Sequence, residues 1–195
     1  MSADNRLILA ALDQESIPLE VKGGLPGLIN ELQDCGFIDT QLAQDPEQTF
    51  KSGKNFMDHI SLVGCSPVYA LDPDIEEPSG IVSFSPIYDE PQFIYGSNSM
   101  TPKCPECREP LTHWKDLLAK PLQPCNTLKI AVQCHHCQQQ NNLTSLRFRR
   151  EAAVGRFFIF VHGIFPREAV PMDGLLQMLE KFMGSPMAYY YCQGK

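Results

Sequence analysis

The sequence predicts an α+β protein, a two-layer α/β core interrupted by an inserted four-cysteine metal-binding module. Three observations lead there. Helix-period and strand-like apolar segments occur on both sides of the chain's middle; two Cys-x-x-Cys pairs stand with 26 residues between them; and the charge changes sign where the cysteines begin. Residues 1–100 are expected to form the first part of the core and 101–150 the insert. Residues 151–195 then supply a strand–helix–strand that completes the core. With 195 residues, 43% hydrophobic and 20% charged, the chain is long enough to bury such a core and too apolar to be disordered.

The elements follow in order. Leu7, Ile8, Ala11 and Leu12 fall on one helical face and predict a helix from about Asp4 to Gln14. A second helix is predicted from Leu25 to Cys35, with Pro26 in its first turn, a stripe of Leu25, Leu28, Ile29 and Leu32, and Gly36 to end it. "NFMDHISLV" (55–63) reads as a short helix. "PVYAL", "GIVSFSPIY" and "QFIYG" read as strands, with Pro67 and Pro86 confining the first two to ends or edges. "GSNSMTP" (96–102) has linker composition. Beyond the insert, "RFFIFVHGIF" is the best strand. A helix opened by Pro171 and closed by Gly184 presents Met172, Leu175, Leu176, Leu179, Phe182 and Met183, and "PMAYYYC" is a tyrosine-rich strand. "LVGCSPVYAL" and "FMGSPMAYYYC" echo one another as helix end, glycine, Ser-Pro and strand, the pattern of two related α–β units.

"CPEC" (104–107) and "CHHC" (134–137) carry the chemistry. A Cys-x-x-Cys turn sets two thiolates on one side of a tight loop, and two such loops face to face complete a tetrahedral set for Zn²⁺. "TLKIAVQC" alternates as a strand leading into the second loop, and "NNLTSLRFRR" reads as a strand leaving it. On these residues the stretch from about 102 to 150 resembles a zinc ribbon. The resemblance implies a structural zinc on Cys104, Cys107, Cys134 and Cys137. Arg108 and Gln138 stand where such knuckles usually carry glycine. His135, His136 or Cys125 would be the substitute ligands in a variant site. Four thiolates close the coordination shell, which makes the ion a folding element and not a Lewis acid.

The net charge of −7 conceals a division. Residues 1–100 carry −12, residues 101–150 carry +5, and residues 151–195 are neutral. In "SLRFRR" the alternation puts Ser145, Arg147 and Arg149 on one face. With Arg150, and with Trp114 available to stack on a base, these form a candidate nucleic-acid surface. The same cations could instead dock on the acidic half. "FFIFVHGIFP" matches the His-Gly turn of α/β-hydrolases, but no Gly-x-Ser-x-Gly follows, so His162 and Arg167 remain only candidate pocket residues, with His59 the other histidine to check. No Walker-type loop or paired-histidine metal motif appears. The expectation is an interaction or adaptor protein with a structural zinc and another protein as partner. A nucleic-acid-associated factor and an enzyme with a pocket near His162 are the alternatives. The longest apolar run, "FFIFV", is too short to span a bilayer, and the start lacks signal-peptide character. The expectation is therefore a cytoplasmic protein with reduced cysteines and no membrane partner.

Overall fold

The computed structural model describes residues 5–42, 48–63, 80–118, 121–126 and 130–194. In chain order the first half holds β1 (Asn5–Ala11), α1 (Gly24–Asp34), β2 (Ile38–Gln41), β3 (Gln48–Ser52), α2 (Phe56–His59), β4 (Ile60–Leu62), β5 (Ile81–Phe84) and β6 (Gln92–Tyr95). There follow β7 (Cys125–Asn126), β8 (Ala131–Gln133), β9 (Gln140–Asn142), β10 (Ala152–Gly155), β11 (Ile159–His162), β12 (Ala169–Pro171), α3 (Asp173–Met183) and β13 (Met187–Gln193). The central sheet has the order β13-β1-β11-β5-β3-β2 and is antiparallel at every pairing. Strands from both sides of the cysteine-bearing segment therefore share one sheet.

The expected helix at Asp4–Gln14 is the strand β1, and the reason is burial on both faces. Leu7, Leu9 and Ala11 pack with α1 and α3, through Leu28, Leu32, Leu175 and Leu179. Ile8 and Ala10 face the other way, onto Ile94, Ala153, Phe158 and Phe160. A strand covered on both sides reads as an unbroken apolar run, which periodicity alone cannot distinguish from a buried helix. Leu12, assigned to the helical face, is largely exposed. The predicted helix at 55–63 is likewise cut to the single turn of α2. Beyond it the chain extends as β4 and pairs with β12.

α1 and α3 form where expected. Their stripes bury Leu28 and Leu32, and Leu175, Leu179 and Met183. Pro171 belongs to β12, and Met172 caps α3. Gly184 ends α3 with φ 66°, the left-handed turn that glycine adopts without steric cost. "PVYAL", and with it the first half of the internal echo, lies outside the described residues.

A second sheet, β10-β6-β7, covers the opposite face of the central sheet and adds a layer to the two expected. Alternation along β6 connects the layers. Ile94 points to the central sheet, while Phe93 and Tyr95 point into a separate core containing Trp114, Val132, Leu143, Phe148 and two cysteines. That arrangement packs Cys104 and Cys134 against the second sheet. No described helix is long and apolar enough to cross a membrane.

Candidate metal centre

Each Cys-x-x-Cys pair caps a minimal hairpin, and the two are built alike. Lys103 bridges Pro110 around the first turn, and Gln133 pairs with Gln140 around the second. In the first, the Arg108 N–H donates to Cys104 O at 3.0 Å and the Cys104 N–H to Glu109 O at 2.9 Å. In the second, Gln138 donates to Cys134 O at 2.9 Å and Cys134 to Gln139 O at 2.8 Å. Both turns need a left-handed residue after the second cysteine, and Arg108 and Gln138 supply it at φ 63°. A non-glycine residue there costs roughly 1–2 kcal/mol. At Gln138 the side chain offsets part of it, donating to His135 O at 2.9 Å and accepting from Gln133.

The two turns face each other. Cys104 and Cys137 sulfurs lie 3.7 Å apart, Cys107 and Cys134 sulfurs 3.6 Å, and all four fall within 4.8 Å of one another. Four sulfurs bound at about 2.3 Å to one tetrahedral ion sit roughly 3.8 Å apart. The cluster has the dimensions of a metal site. Peptide N–H groups of Cys107 and Glu106 aimed at Cys104 pull its thiol down to about 7. Those of Cys137 and His136 lower Cys134. Cys107 receives the Glu109 N–H, yet desolvation and the neighbouring sulfurs push it up to about 12; Cys137 is raised too, against the Gln139 N–H. Thiolates this close oppose one another's ionisation, and a cation among them removes that opposition.

The alternative ligands are placed elsewhere. Cys125 donates to Phe93 O at 3.3 Å within the second sheet. The His135 ring packs on His113 with centroids 3.9 Å apart, and His136 contributes its peptide N–H to Cys134. Asn141 is a participant that sequence reasoning missed. Its buried amide donates to Val132 O and Gln139 O, both at 3.2 Å, and lies 3.9 Å from the Cys104 sulfur. The polar run "QQQNN" offers no signal that one of its members points inward.

The basic residues divide. Trp114 is fully buried, edge-on to Phe93 and Tyr95, so its ring is not presented for base stacking. The expected strand through "SLRFRR" is absent; Leu143–Ser145 is a 3-10 turn and the chain beyond is irregular. The alternation nevertheless holds: Leu146 and Phe148 are buried while Ser145, Arg147 and Arg149 are exposed and line one cavity of about 590 Å³ with Lys103 and Arg108. Arg149 also lines a second cavity, of about 380 Å³, together with Arg150 and Arg167. Among the described residues none of these six cations is in an ion pair; Arg156 with Glu15, at 3.7 Å, is the pair formed elsewhere. The intramolecular docking of these cations onto acidic groups is thus not seen among described residues.

His162 and Arg167 are not brought together in the cavities around Arg149. His162 Nε2 is 2.7 Å from Ser83 Oγ, which resembles a nucleophile–base pair, but Ser83 is 2% exposed. A substrate cannot reach that hydroxyl. His59 packs edge-on against Phe37 and approaches Cys35 O.

Compared with known proteins, the chain matches no protein-family model, no curated protein and no solved structure. Fold and site define a mixed α/β protein, mostly sheet, with four cysteines positioned to bind a metal ion.

Proposed function

We propose that the chain is a non-enzymatic binding protein. In it Cys104, Cys107, Cys134 and Cys137 hold a structural zinc in a module of the zinc-ribbon type, and the basic face beside it engages nucleic acid. Zinc suits four thiolates because a d¹⁰ ion accepts tetrahedral sulfur without further ligands. A closed shell leaves no position for substrate or water, so the ion contributes folding free energy to a segment with a small core. Four thiols kept reduced fit a cytoplasmic location.

The observation that carries the binding role is the set of six cations that have no ion-pair partner among the described residues, gathered around two cavities that share Arg149. Counting zinc and four thiolates as −2 lowers the insert from +5 to about +3, so its face stays positive. A protein partner, the first expectation from sequence, would be held by apolar surface. Here, apart from Glu151 and the Cys104 thiolate, the charged groups lining the cavities are cations, and that excess favours phosphate. With Trp114 buried, contact runs through the backbone and not through stacked bases.

Fluorescence anisotropy with a labelled single-stranded oligonucleotide tests this. Affinity should fall with salt by about 0.7 log units per log unit for each phosphate neutralised. The triple variant Arg147→Glu, Arg149→Glu, Arg150→Glu should abolish binding while keeping its metal. Absence of binding at low salt, or affinity indifferent to salt, contradicts the nucleic-acid role.

A further inference from the structure

We infer that the cavity walled by Arg149, Arg150 and Arg167 is a terminal-phosphate site. It takes the phosphomonoester at the end of a nucleic-acid strand whose backbone continues across the larger cavity beyond Arg149. The inference rests on the nucleic-acid reading of the basic face and adds to it a preference for one chemical group.

Charge selects the group. Three guanidiniums and the Glu151 carboxylate line the smaller cavity, a net of +2. A phosphomonoester carries about −1.5 to −2 near neutral pH, whereas an internal phosphodiester carries a single charge. The Glu151 carboxylate is already engaged, accepting the Met100 N–H at 2.7 Å, and pairs with none of the three arginines. The arginines are also posed. The Arg150 guanidinium carbon sits over the Tyr189 ring, 3.9 Å from its centroid, a contact that holds the cation at the cavity wall. Arg149 and Arg167 stand at φ 55° and 70°, left-handed positions that side chains rarely hold, at two separate turns that meet at this cavity. The Tyr191 hydroxyl is spent on Ala169 O at 2.6 Å, tying the cavity floor to β12.

The larger cavity decides what the phosphate is attached to. It is lined by Lys103, Arg108, Arg147 and Arg149, with no carboxylate and with Cys104 of the metal centre also in its wall. A phosphorylated side chain needs the first cavity alone. A strand presenting further phosphates uses both.

Three labelled single-stranded oligonucleotides of one sequence provide the probe: 5′-phosphorylated, 3′-phosphorylated, and hydroxyl at both ends. One phosphorylated end should bind the full-length protein at least about tenfold tighter than the hydroxyl form, the worth of a lost charge-assisted hydrogen bond. Arg167→Gly and Arg149→Gly remove a guanidinium while relieving the positive φ, so neither should cost folding. Arg167→Gly should erase the preference, bringing the phosphorylated ends to the same affinity as the hydroxyl form for that variant. Glu151→Gln keeps an acceptor for Met100 and should strengthen the preference. Equal affinity for all three ends, or a preference surviving Arg167→Gly, overturns the terminal site alone. Displacement by a phosphoserine peptide at the concentration of the 5′- or 3′-phosphorylated competitor assigns the cavity to phosphoprotein and overturns the strand-end assignment. Failure of every oligonucleotide to bind sinks the nucleic-acid reading of the whole face.

Discussion

Asn141→Ala isolates what one buried amide does for the metal centre. The amide is 5% exposed and donates to Val132 O and Gln139 O at 3.2 Å, with the Cys104 sulfur 3.9 Å away. Truncation removes two hydrogen bonds of about 1 kcal/mol each. Gln139 O keeps the Cys134 N–H at 2.8 Å, so the loss concentrates on Val132 O and totals about 1–2 kcal/mol. Because this side chain braces the strand that carries Cys134 against its partner strand, metal affinity should drop about tenfold to hundredfold. Competition against a chromophoric chelator reads the affinity, and a thermal melt reads the stability. Asn142→Ala is the control: that side chain is exposed and merely accepts from the Thr144 N–H at 3.4 Å. If Asn141→Ala and Asn142→Ala release metal alike, the bracing role is wrong.

Other outcomes follow from the same geometry. Trp114, the single tryptophan, is packed in one core with Cys104 and Cys134, so chelating the metal should red-shift its fluorescence and restoring zinc should reverse the shift. An unchanged spectrum would show that the metal does not organise that core. Arg108→Gly relieves roughly 1–2 kcal/mol of left-handed strain against about 0.5–1 of added chain entropy, so its melting temperature should rise. Gln138→Gly also loses the bonds to His135 and Gln133 and should gain less, which parallel melts can compare. Burial pushes the Cys192 thiol far above its ordinary value. The unfolded chain then loses that proton near pH 8.5 while the folded one keeps it, so stability falls above pH 8.5 by up to about 1.4 kcal/mol per unit. Cys192→Ala should flatten that alkaline slope in denaturant titrations, and an unaltered slope assigns it to another group.

How much was legible in the sequence depended on whether a pattern had one physical cause. α3 is legible because its stripe of Leu175, Leu179 and Met183 has helical spacing and Gly184 ends it, although Pro171 and the exposed Met172, expected within it, precede its first residue. The cysteine pairs were legible because few arrangements besides a shared ion bring two Cys-x-x-Cys turns face to face. β1 mimics a helix in the sequence because a strand buried on both faces erases the alternation that marks a strand. "SLRFRR" shows the reverse: the alternation of Leu146 and Phe148 with Arg147 and Arg149 sorted the faces correctly although no ladder forms there. Trp114 and Asn141 could not be placed from sequence, since their burial depends on β6 and on the opposite hairpin. Arg167 joins Arg149 only through tertiary folding, which is why the shared cavity left no local trace.

X-ray absorption at the zinc edge, on the full chain purified without chelators, bears most directly on the central claim. One zinc per chain with four sulfur neighbours at about 2.3 Å is the predicted result. A substoichiometric metal, or a shell in which nitrogen or oxygen replaces sulfur, would contradict the four-cysteine centre and remove the support beneath the basic face.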